Sequence, residues 1–404
     1  MIDYHLLLSV LIGVSILIIL ILKFKIQPFL GLLISSILVG VLAGVAPLEI
    51  MNTVKEGMGS TLGFVAVVVG LGAMFGAILE HSGGAEALAQ YLLKAFGEKN
   101  ASWALMITGF FIAIPVFFDV AFIILIPLVY SLQRKTKKSM LLYAIPLLAG
   151  LAITHAFIPP TPGPVAVADI LNADLGWVIL VGFIVGIPTA IVSGPIFGKF
   201  IASKIFIAAP KKIDEKVVDN FPPISLILSI IATPILLIVL NTLLNSPLGS
   251  SLNLSDKTIT WLQMIGHPFS ALIIANLMAW YLLGIRRGVS KAILSKITSA
   301  SLAPAGIIIL LTGAGGVFKQ MLITTGTGEM LANYFSSIGL SVLLFSFLAA
   351  VCVRILQGSS TVAMITAAGI TSSLITTPLG EFHTALIVIS IAAGASILSH
   401  VNDS

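Results

Sequence analysis

The sequence predicts an all-α membrane protein that crosses the bilayer many times and is built from two inverted repeats. Of its 404 residues, 58% are hydrophobic and only 9% are charged, whereas a soluble domain has about 25% charged residues. The mean hydropathy is +1.13, and the apolar runs are roughly 20 residues long, the length that a transmembrane helix needs. A similarity between the two halves of the chain predicts the repeat.

The positive charges are grouped in short loops between apolar runs. Because cytoplasmic loops of membrane proteins are enriched in lysine and arginine, this grouping indicates the topology and places the N-terminus outside. A nucleic-acid surface would need a continuous basic face, so the net charge of +5 does not indicate nucleic-acid binding. Residues 5–22 are interpreted as a retained first span rather than a signal peptide. The single Cys352 and the absence of a Cys/His cluster predict neither a metal site nor a cofactor.

Two segments are predicted to be re-entrant hairpins. If residues 102–130 crossed the bilayer once, the basic loop 133–138 would lie outside, against the charge rule. Pro115 and Asp119 suit the tip of such a hairpin, since a non-helical tip is tolerated where protein or water surrounds it. The second hairpin is expected at about 339–375. The other crossings are predicted at 5–22, 28–46, 58–80, 139–170, 176–205, 223–245, 264–284 and 302–322, with an interrupted last segment from about 383.

An internal repeat relates residues 1–208 to residues 223–404, with a cytoplasmic linker at 209–222. A shift of 243 positions pairs Phe75 with Phe318, and the same shift pairs several further Leu, Gly, Glu, Ala and Tyr residues. Each repeat would hold five crossings and one hairpin, with the last crossing of the second repeat absent from this chain. Since five is odd, the repeats have opposite orientations, which is typical of secondary transporters that bind substrate near the bilayer midplane.

An apolar segment of the first repeat is interrupted by a break with hydrogen-bonding groups. The break is the stretch HAFIPPTPGP, which begins at His155. A break of this kind frees backbone groups that a polar ligand can use, and Thr161 adds a hydroxyl. Asp119 lies among apolar residues, where a charge is costly and indicates a proton or substrate site. The alternatives are a protonated or lysine-paired Asp119, a core histidine at His155, and a simple kink or turn at the prolines.

The second repeat has similar polar residues at its own hairpin tip and in its final broken segment. Hydroxyl and amide groups near the tip could bind a polyhydroxylated solute. Arg354 could bind a carboxylate through two hydrogen bonds, or could instead hold a backbone carbonyl or helix end. The candidate substrate-binding residues are therefore Thr161, Arg354, Gln357, Gly358, Ser359, Ser360, Thr361 and Asn402, and the candidate proton-coupling residues are Asp119, His155, Asp403 and His400.

Three collinear stretches resemble the signatures of the gluconate permease family: THAFIPPTPGPVAVA at 154–168, RILQGSSTVAMITAAGI at 354–370 and SHVNDS at 399–404. The resemblance implies a proton-coupled symporter for gluconate or related sugar acids, in a bacterial inner membrane. It also implies inverted repeats with separate scaffold and transport domains, elevator-type alternating access and a homodimer surrounded by lipid. Members of that family continue beyond the final Asn-Asp-Ser, where this chain ends.

The sequence therefore predicts a transporter that imports a small hydroxylated carboxylate together with protons. The two hairpin tips and the two broken segments are expected to meet midway through the bilayer. A sodium-coupled or antiport carrier of D-serine or another small carboxylate is the alternative on the same scaffold. A channel would not concentrate its solute. An intramembrane hydrolase would need a nucleophile and base signature that the sequence does not contain, so no enzyme activity is predicted.

Overall fold

The computed structural model describes residues 4–210, 221–245, 255–327, 330, 340–357, 359–375 and 379–398. Within these ranges the chain forms helices and turns and no strand. Seven helical segments of the described chain are long and apolar enough to cross a membrane. The predicted all-α polytopic class is thus confirmed, while the inverted arrangement of two repeats stays a prediction.

The described part of the first half contains ten α-helices. A π-helical turn at Val192–Ile196 connects the last two. The helices are α1 Tyr4–Leu22, α2 Pro28–Leu42, α3 Pro47–His81, α4 Gly84–Phe96, α5 Ala101–Ile112, α6 Phe118–Thr136, α7 Leu141–Phe157, α8 Pro162–Leu171, α9 Leu175–Ile191 and α10 Phe197–Ala202.

The described part of the second half contains seven α-helices. A π-helical turn at Ala279–Gly284 and a 3-10 turn at Ile285–Arg287 follow the third of them. The helices are α11 Ile224–Asn245, α12 Asp256–Gly266, α13 Pro268–Met278, α14 Lys291–Thr324, α15 Val342–Gln357, α16 Ser360–Ser372 and α17 Glu381–Ala395.

Two helices are much longer than the apolar spans that predicted them. Hydropathy marks only 58–80 and 302–322, but α3 has 35 residues and α14 has 34. The extra turns are polar, and in α3 they include Lys55 and Glu56. Polar residues with good helix propensity continue a helix without adding an apolar signal, so hydropathy locates part of the helix and misses its start.

Each predicted hairpin contains two helices that lie close together in the chain. In the first, α5 ends at Ile112 and α6 begins at Phe118. In the second, α15 ends at Gln357 and α16 begins at Ser360. Whether these helix pairs enter and leave the bilayer on the same side stays a prediction.

The chain divides into two compact units. The first comprises Met1–Val69, Pro162–Val178 and Pro304–Ser404, and the second comprises Gly70–Thr161 and Ile179–Ala303. The division falls within α3, α9 and α14, and between α7 and α8. The predicted repeat boundary lies elsewhere, at residues 209–222, of which 211–220 lie outside the described residues.

In the first unit, α8 packs against α16 and α17, and α15 packs against the same two helices. In the second unit, α5 packs along α7 so closely that glycine is needed on both helices. A Cβ at Gly150 would lie 2.2 Å from the Met106 carbonyl oxygen, and one at Gly109 would lie 2.5 Å from the Leu147 carbonyl oxygen. In each unit, therefore, the first helix of the predicted hairpin packs on the helix that follows the hairpin: α15 on α17 in the first unit, and α5 on α7 in the second.

Candidate substrate and proton sites

The break between α7 and α8 is closed by its own threonine. α7 ends at Phe157, and the chain passes through a cis Pro159–Pro160 bond before α8 begins at Pro162. A proline at the start of a helix is tolerated because the N–H that it lacks would have no helical partner there. Thr161 is buried, and its hydroxyl donates to the Ile158 carbonyl oxygen at 2.6 Å. At least one role of Thr161 is therefore structural.

In the second unit the first hairpin turn lies beside this break. The rings of Phe118 and His155 are 6.5 Å apart. The C-terminal part of α3 approaches both segments through two glycines: a Cβ at Gly72 would lie 3.6 Å from the Pro160 carbonyl oxygen, and a Cβ at Gly76 would lie 2.0 Å from the Pro115 carbonyl oxygen. The residues around Asp119 and His155 are thus brought into one region, as two predicted proton sites would require.

The side chains in this region differ in exposure. Asp119 lies in the first turn of α6, where the helix dipole favours a negative charge, and its surface is exposed in the structure. His155 is half-buried in the last turn of α7. The neighbouring Thr154 hydroxyl is buried and has no hydrogen-bond partner among the described residues. The Thr154 hydroxyl is thus a polar group at the end of α7 that has no partner among the described residues.

In the first unit the second hairpin presents the predicted hydroxyl groups at the start of α16. Ser359 is the N-cap, since its hydroxyl oxygen accepts from the Val362 N–H at 3.5 Å. Ser360 and Thr361 follow in the first turn and are partly exposed. The side chain of Gln357 and the whole of Gly358, His400, Asn402 and Asp403 lie outside the described residues, so four predicted positions and one side chain have no structural description.

Arg354 has one of the two roles that the sequence left open. Its side chain is only 1% exposed, and Nε donates to the Ile397 carbonyl oxygen at 3.3 Å. It therefore joins the end of α15 to the segment after α17. Binding of a substrate carboxylate by Arg354 stays a prediction.

Sequence reasoning missed a pair of opposite charges in the first unit. Asp169 on α8 and Lys319 on α14 carry opposite charges in the same unit, and both residues are half-buried. Both belong to segments long enough to span a membrane. An ionisable residue within such a segment indicates a functional site and its partner. The sequence does contain a signal for these two residues, because each charge interrupts an apolar run that is predicted to cross the membrane.

The helices around this pair are packed through small residues. A Cβ at Gly369 on α16 would lie 3.3 Å from the Gly315 carbonyl oxygen and 3.9 Å from the Lys319 backbone nitrogen. A Cβ at Gly163 on α8 would lie 2.9 Å from the Met364 side chain on α16. The helix α16 thus contacts both of the helices that bear the charged pair.

The chain matches the model of the GntP family permeases over residues 5–404. It is 37% identical to a gluconate permease of Pseudomonas aeruginosa, over 100% of this chain and 89% of that protein. It is 39% identical to the low-affinity gluconate transporter of Escherichia coli, over 97% of this chain and 88% of that protein. It is 34% identical to the Gnt-II system L-idonate transporter of Escherichia coli, with the same two coverages.

Among solved structures, the fold is similar to that of the Alcanivorax borkumensis YdaH transporter, which has been described as having an unusual topology. The TM-score is 0.52 and the sequence identity is 14%, over 84% of this chain and 75% of that one. At this identity the likeness concerns the fold alone. Together with the family match over nearly the whole sequence, it leads to one assignment: the chain belongs to the GntP permease family and is a multi-pass membrane transporter, not an enzyme.

Proposed function

We propose that this permease imports gluconate or a closely related hydroxylated monocarboxylate together with protons. The observation that carries the proposal is the 34–39% identity, over at least 97% of this chain, to relatives named for transport of gluconate and L-idonate. Both are polyhydroxylated carboxylates. The polar first turn of α16 in the first unit suits the hydroxyl groups of such a substrate.

In this proposal the substrate is held mainly by hydroxyl groups. Ser359, Ser360 and Thr361 at the start of α16 bind substrate hydroxyls, and the positive end of the helix dipole favours the substrate carboxylate. Gln357, Gly358, Asn402, Arg354 and Thr161 complete the proposed set. Transport proceeds by elevator-type alternating access in a homodimer, in the inner membrane, with the N-terminus outside.

Proton carriage is assigned to Asp119 and His155, with His400 and Asp403 as further candidates. The proximity of Phe118 and His155 supports a shared site, because it places Asp119 one residue from a ring that contacts the histidine. Histidine exchanges protons near neutral pH, and the Asp119 carboxylate is the second proton carrier in this proposal. Proton and substrate share one coupling free energy, so each raises the affinity for the other.

The proposal is tested with the full chain in proteoliposomes and labelled gluconate. An inward proton gradient is expected to drive accumulation above the external concentration, and replacing sodium with potassium at constant pH gradient is expected to leave uptake unchanged. Asp119→Asn is expected to retain gluconate exchange and lose gradient-driven accumulation. Uptake that follows sodium instead of protons, or preference for D-serine over gluconate and L-idonate in a competition panel, would contradict the proposal.

A further inference from the structure

We propose that a cavity between α4 and α6 of the second unit binds the phosphate group of an anionic membrane phospholipid such as phosphatidylglycerol. The cavity has a volume of about 580 Å³ and lies wholly within that unit. It is lined by residues of α4, of the turn that follows α4, and of α6: Leu93, Lys94, Gly97, Glu98, Leu132 and Lys135. The ligand is a lipid and not the transported solute, so this inference does not depend on the proposed function.

The cavity is formed where α4 ends. Gly97 has φ 70° and ψ 170°, a backbone conformation that is essentially restricted to glycine. It turns the chain out of α4 and into the 3-10 turn Glu98–Asn100. The Glu98 carboxylate forms an ion pair with the Lys135 ammonium group at the end of α6. Because α4 also packs directly on α6, the two sides of the cavity are joined both by packing and by this ion pair.

The basic end of α6 is held in place by another segment of the same unit. Gln133 is buried, and its Oε1 accepts from the Ala209 N–H at 3.2 Å. The Arg134 guanidinium group donates to the Pro210 carbonyl oxygen at 2.9 Å. With the ion pair of Lys135, three consecutive side chains of α6 have partners. The position of Lys135 in the cavity wall is therefore set by the fold and not by a ligand.

The charge of the lining suits a phosphodiester, which carries one negative charge. Two lysines and one glutamate line the cavity, so the lining has one net positive charge. Lys94 is exposed and has no ion-pair partner among the described residues, so its ammonium group can donate to a phosphate oxygen. The Lys135 ammonium group has three N–H donors, so it can hold Glu98 and the same phosphate together.

The apolar part of the cavity favours a lipid over a free phosphate ion. Leu93 and Leu132 lie in the lining beside the two lysines and offer a surface for the hydrocarbon part of a lipid. Tyr91 on α4 and Trp103 near the start of α5 are 50% and 37% exposed. Exposed tyrosine and tryptophan rings are typical of the level of the lipid headgroups. The basic end of α6 is predicted to be cytoplasmic, and basic pockets between membrane helices on that side bind anionic headgroups.

The alternative explanation is that these lysines only set the topology of the chain. Lysines act on topology through the number of charges in a loop and not through a binding geometry. Lys138 is exposed in the same basic loop and lies outside the cavity lining, so Lys138→Gln is a control with the same change of charge. The two explanations therefore predict different results for Lys94→Gln and Lys138→Gln.

The experiment titrates the detergent-purified full chain with dioleoyl phosphatidylglycerol and measures bound lipid by native mass spectrometry. Dioleoyl phosphatidylcholine, whose headgroup has no net charge, is expected to bind about 10-fold more weakly. Lys94→Gln is expected to lower the affinity for phosphatidylglycerol about fivefold, the effect of one lysine beside an anionic lipid, and Lys94→Arg to retain it. Glu98→Gln is expected to raise the affinity about fivefold, because Lys135 loses its internal partner. Lys138→Gln is expected to change it less than about twofold.

The three substituted residues are exposed, so the variants are expected to fold like the wild type, which the thermal midpoint without added lipid checks. Equal losses of affinity in Lys94→Gln and Lys138→Gln would show a diffuse effect of charge and overturn the site. Equal binding of phosphatidylglycerol and phosphatidylcholine by the wild type would also overturn it.

A second arm separates a lipid from a soluble anion. Phosphatidylglycerol is expected to raise the thermal midpoint of the wild type, whereas inorganic phosphate at the same concentration is expected to leave it unchanged. A rise with inorganic phosphate alone would assign the cavity to a soluble anion and overturn the inference. Gluconate is absent from both arms, so a negative result here leaves the proposed function standing.

Discussion

Replacing Gly76 with alanine tests how α3 holds the first hairpin turn. Gly76 is buried, and a Cβ at this position would lie 2.0 Å from the Pro115 carbonyl oxygen and 3.0 Å from the Pro115 carbonyl carbon. Favourable contacts between heavy atoms lie at about 3.5–4.0 Å. The turn and α3 would have to separate by about 1.5 Å, since both contacting groups belong to the backbone and no side-chain rotation relieves the overlap.

The expected magnitude follows from two opposing terms. Forcing an extra carbon into a packed interior costs about 1–3 kcal/mol, and more where the backbone must move. Alanine in place of glycine within a helix contributes about 1 kcal/mol of stability. We expect Gly76→Ala to be destabilised by about 2 kcal/mol, the upper part of the packing cost less the helix gain. Uptake is expected to fall as well, because the displaced turn precedes Phe118, which contacts His155.

Gly72→Ala is the matched control, one helical turn earlier on α3. Its Cβ would lie 3.6 Å from the Pro160 carbonyl oxygen, an ordinary contact, so it is expected to be neutral or more stable by up to about 1 kcal/mol. Gly59→Ala, whose Cβ meets nothing within 4 Å, gives the helix term alone. The assay is the thermal midpoint of the detergent-purified protein together with gluconate uptake. Equal midpoints and uptake for Gly76→Ala and Gly72→Ala would refute the close approach of α3 to the turn.

Three further predictions concern buried or capping polar groups. Burial raises the pKa of Glu86, whose Oε2 has no hydrogen-bond partner among the described residues. The folded state therefore holds the proton more tightly, and stability falls as pH rises above the ordinary carboxyl pKa. Glu86→Gln is expected to add about 1 kcal/mol of stability at neutral pH and to reduce the pH dependence of thermal unfolding. Partial burial lowers the pKa of His267, whose Nδ1 accepts from the Phe269 N–H at 3.3 Å. The stabilisation from this helix cap is therefore expected to be lost as pH falls below about 6.5. His267→Asn keeps the cap and is expected to lose less stability at low pH. Ser359→Ala with Ser360→Ala is expected to weaken gluconate binding and to cost about 1 kcal/mol of stability through the lost cap, while Ser359→Asn restores the stability.

Each of these predictions has a result that contradicts it. For Glu86, a lower thermal midpoint of the glutamine variant at neutral pH would mean that the ionised carboxylate is stabilised by a partner. For His267, identical pH profiles of the wild type and His267→Asn would exclude the cap as a titrating feature. For the serines, unchanged gluconate affinity in a folded double variant would remove the start of α16 from the substrate site.

The candidate site was only partly predictable from the sequence. The sequence indicated Asp119, His155 and the serines at 359–360 as candidates, because polar groups within apolar runs are costly and each is visible as an interruption of the pattern. The structural role of Thr161 was not predicted, and the sequence left a backbone role for Arg354 open without its partner. Each role depends on one carbonyl group, at Ile158 and Ile397, whose position follows from the folded backbone. Asp169 and Lys319 were visible as two single charges, but 150 residues separate them in the chain, so the sequence could not show that they belong to the same compact unit.

Composition and the length of the apolar runs determined that this protein is an all-helical, multi-pass membrane protein, because a helix satisfies every backbone polar group in the bilayer interior within the segment itself. Hydropathy and loop charge then located most of the helices, since both signals are local. The tertiary structure decided which helices contact each other, and where glycine allows backbones to meet, as at Gly76 and Gly150. Those features depend on distances between segments far apart in sequence, and such distances are set only when the helices pack.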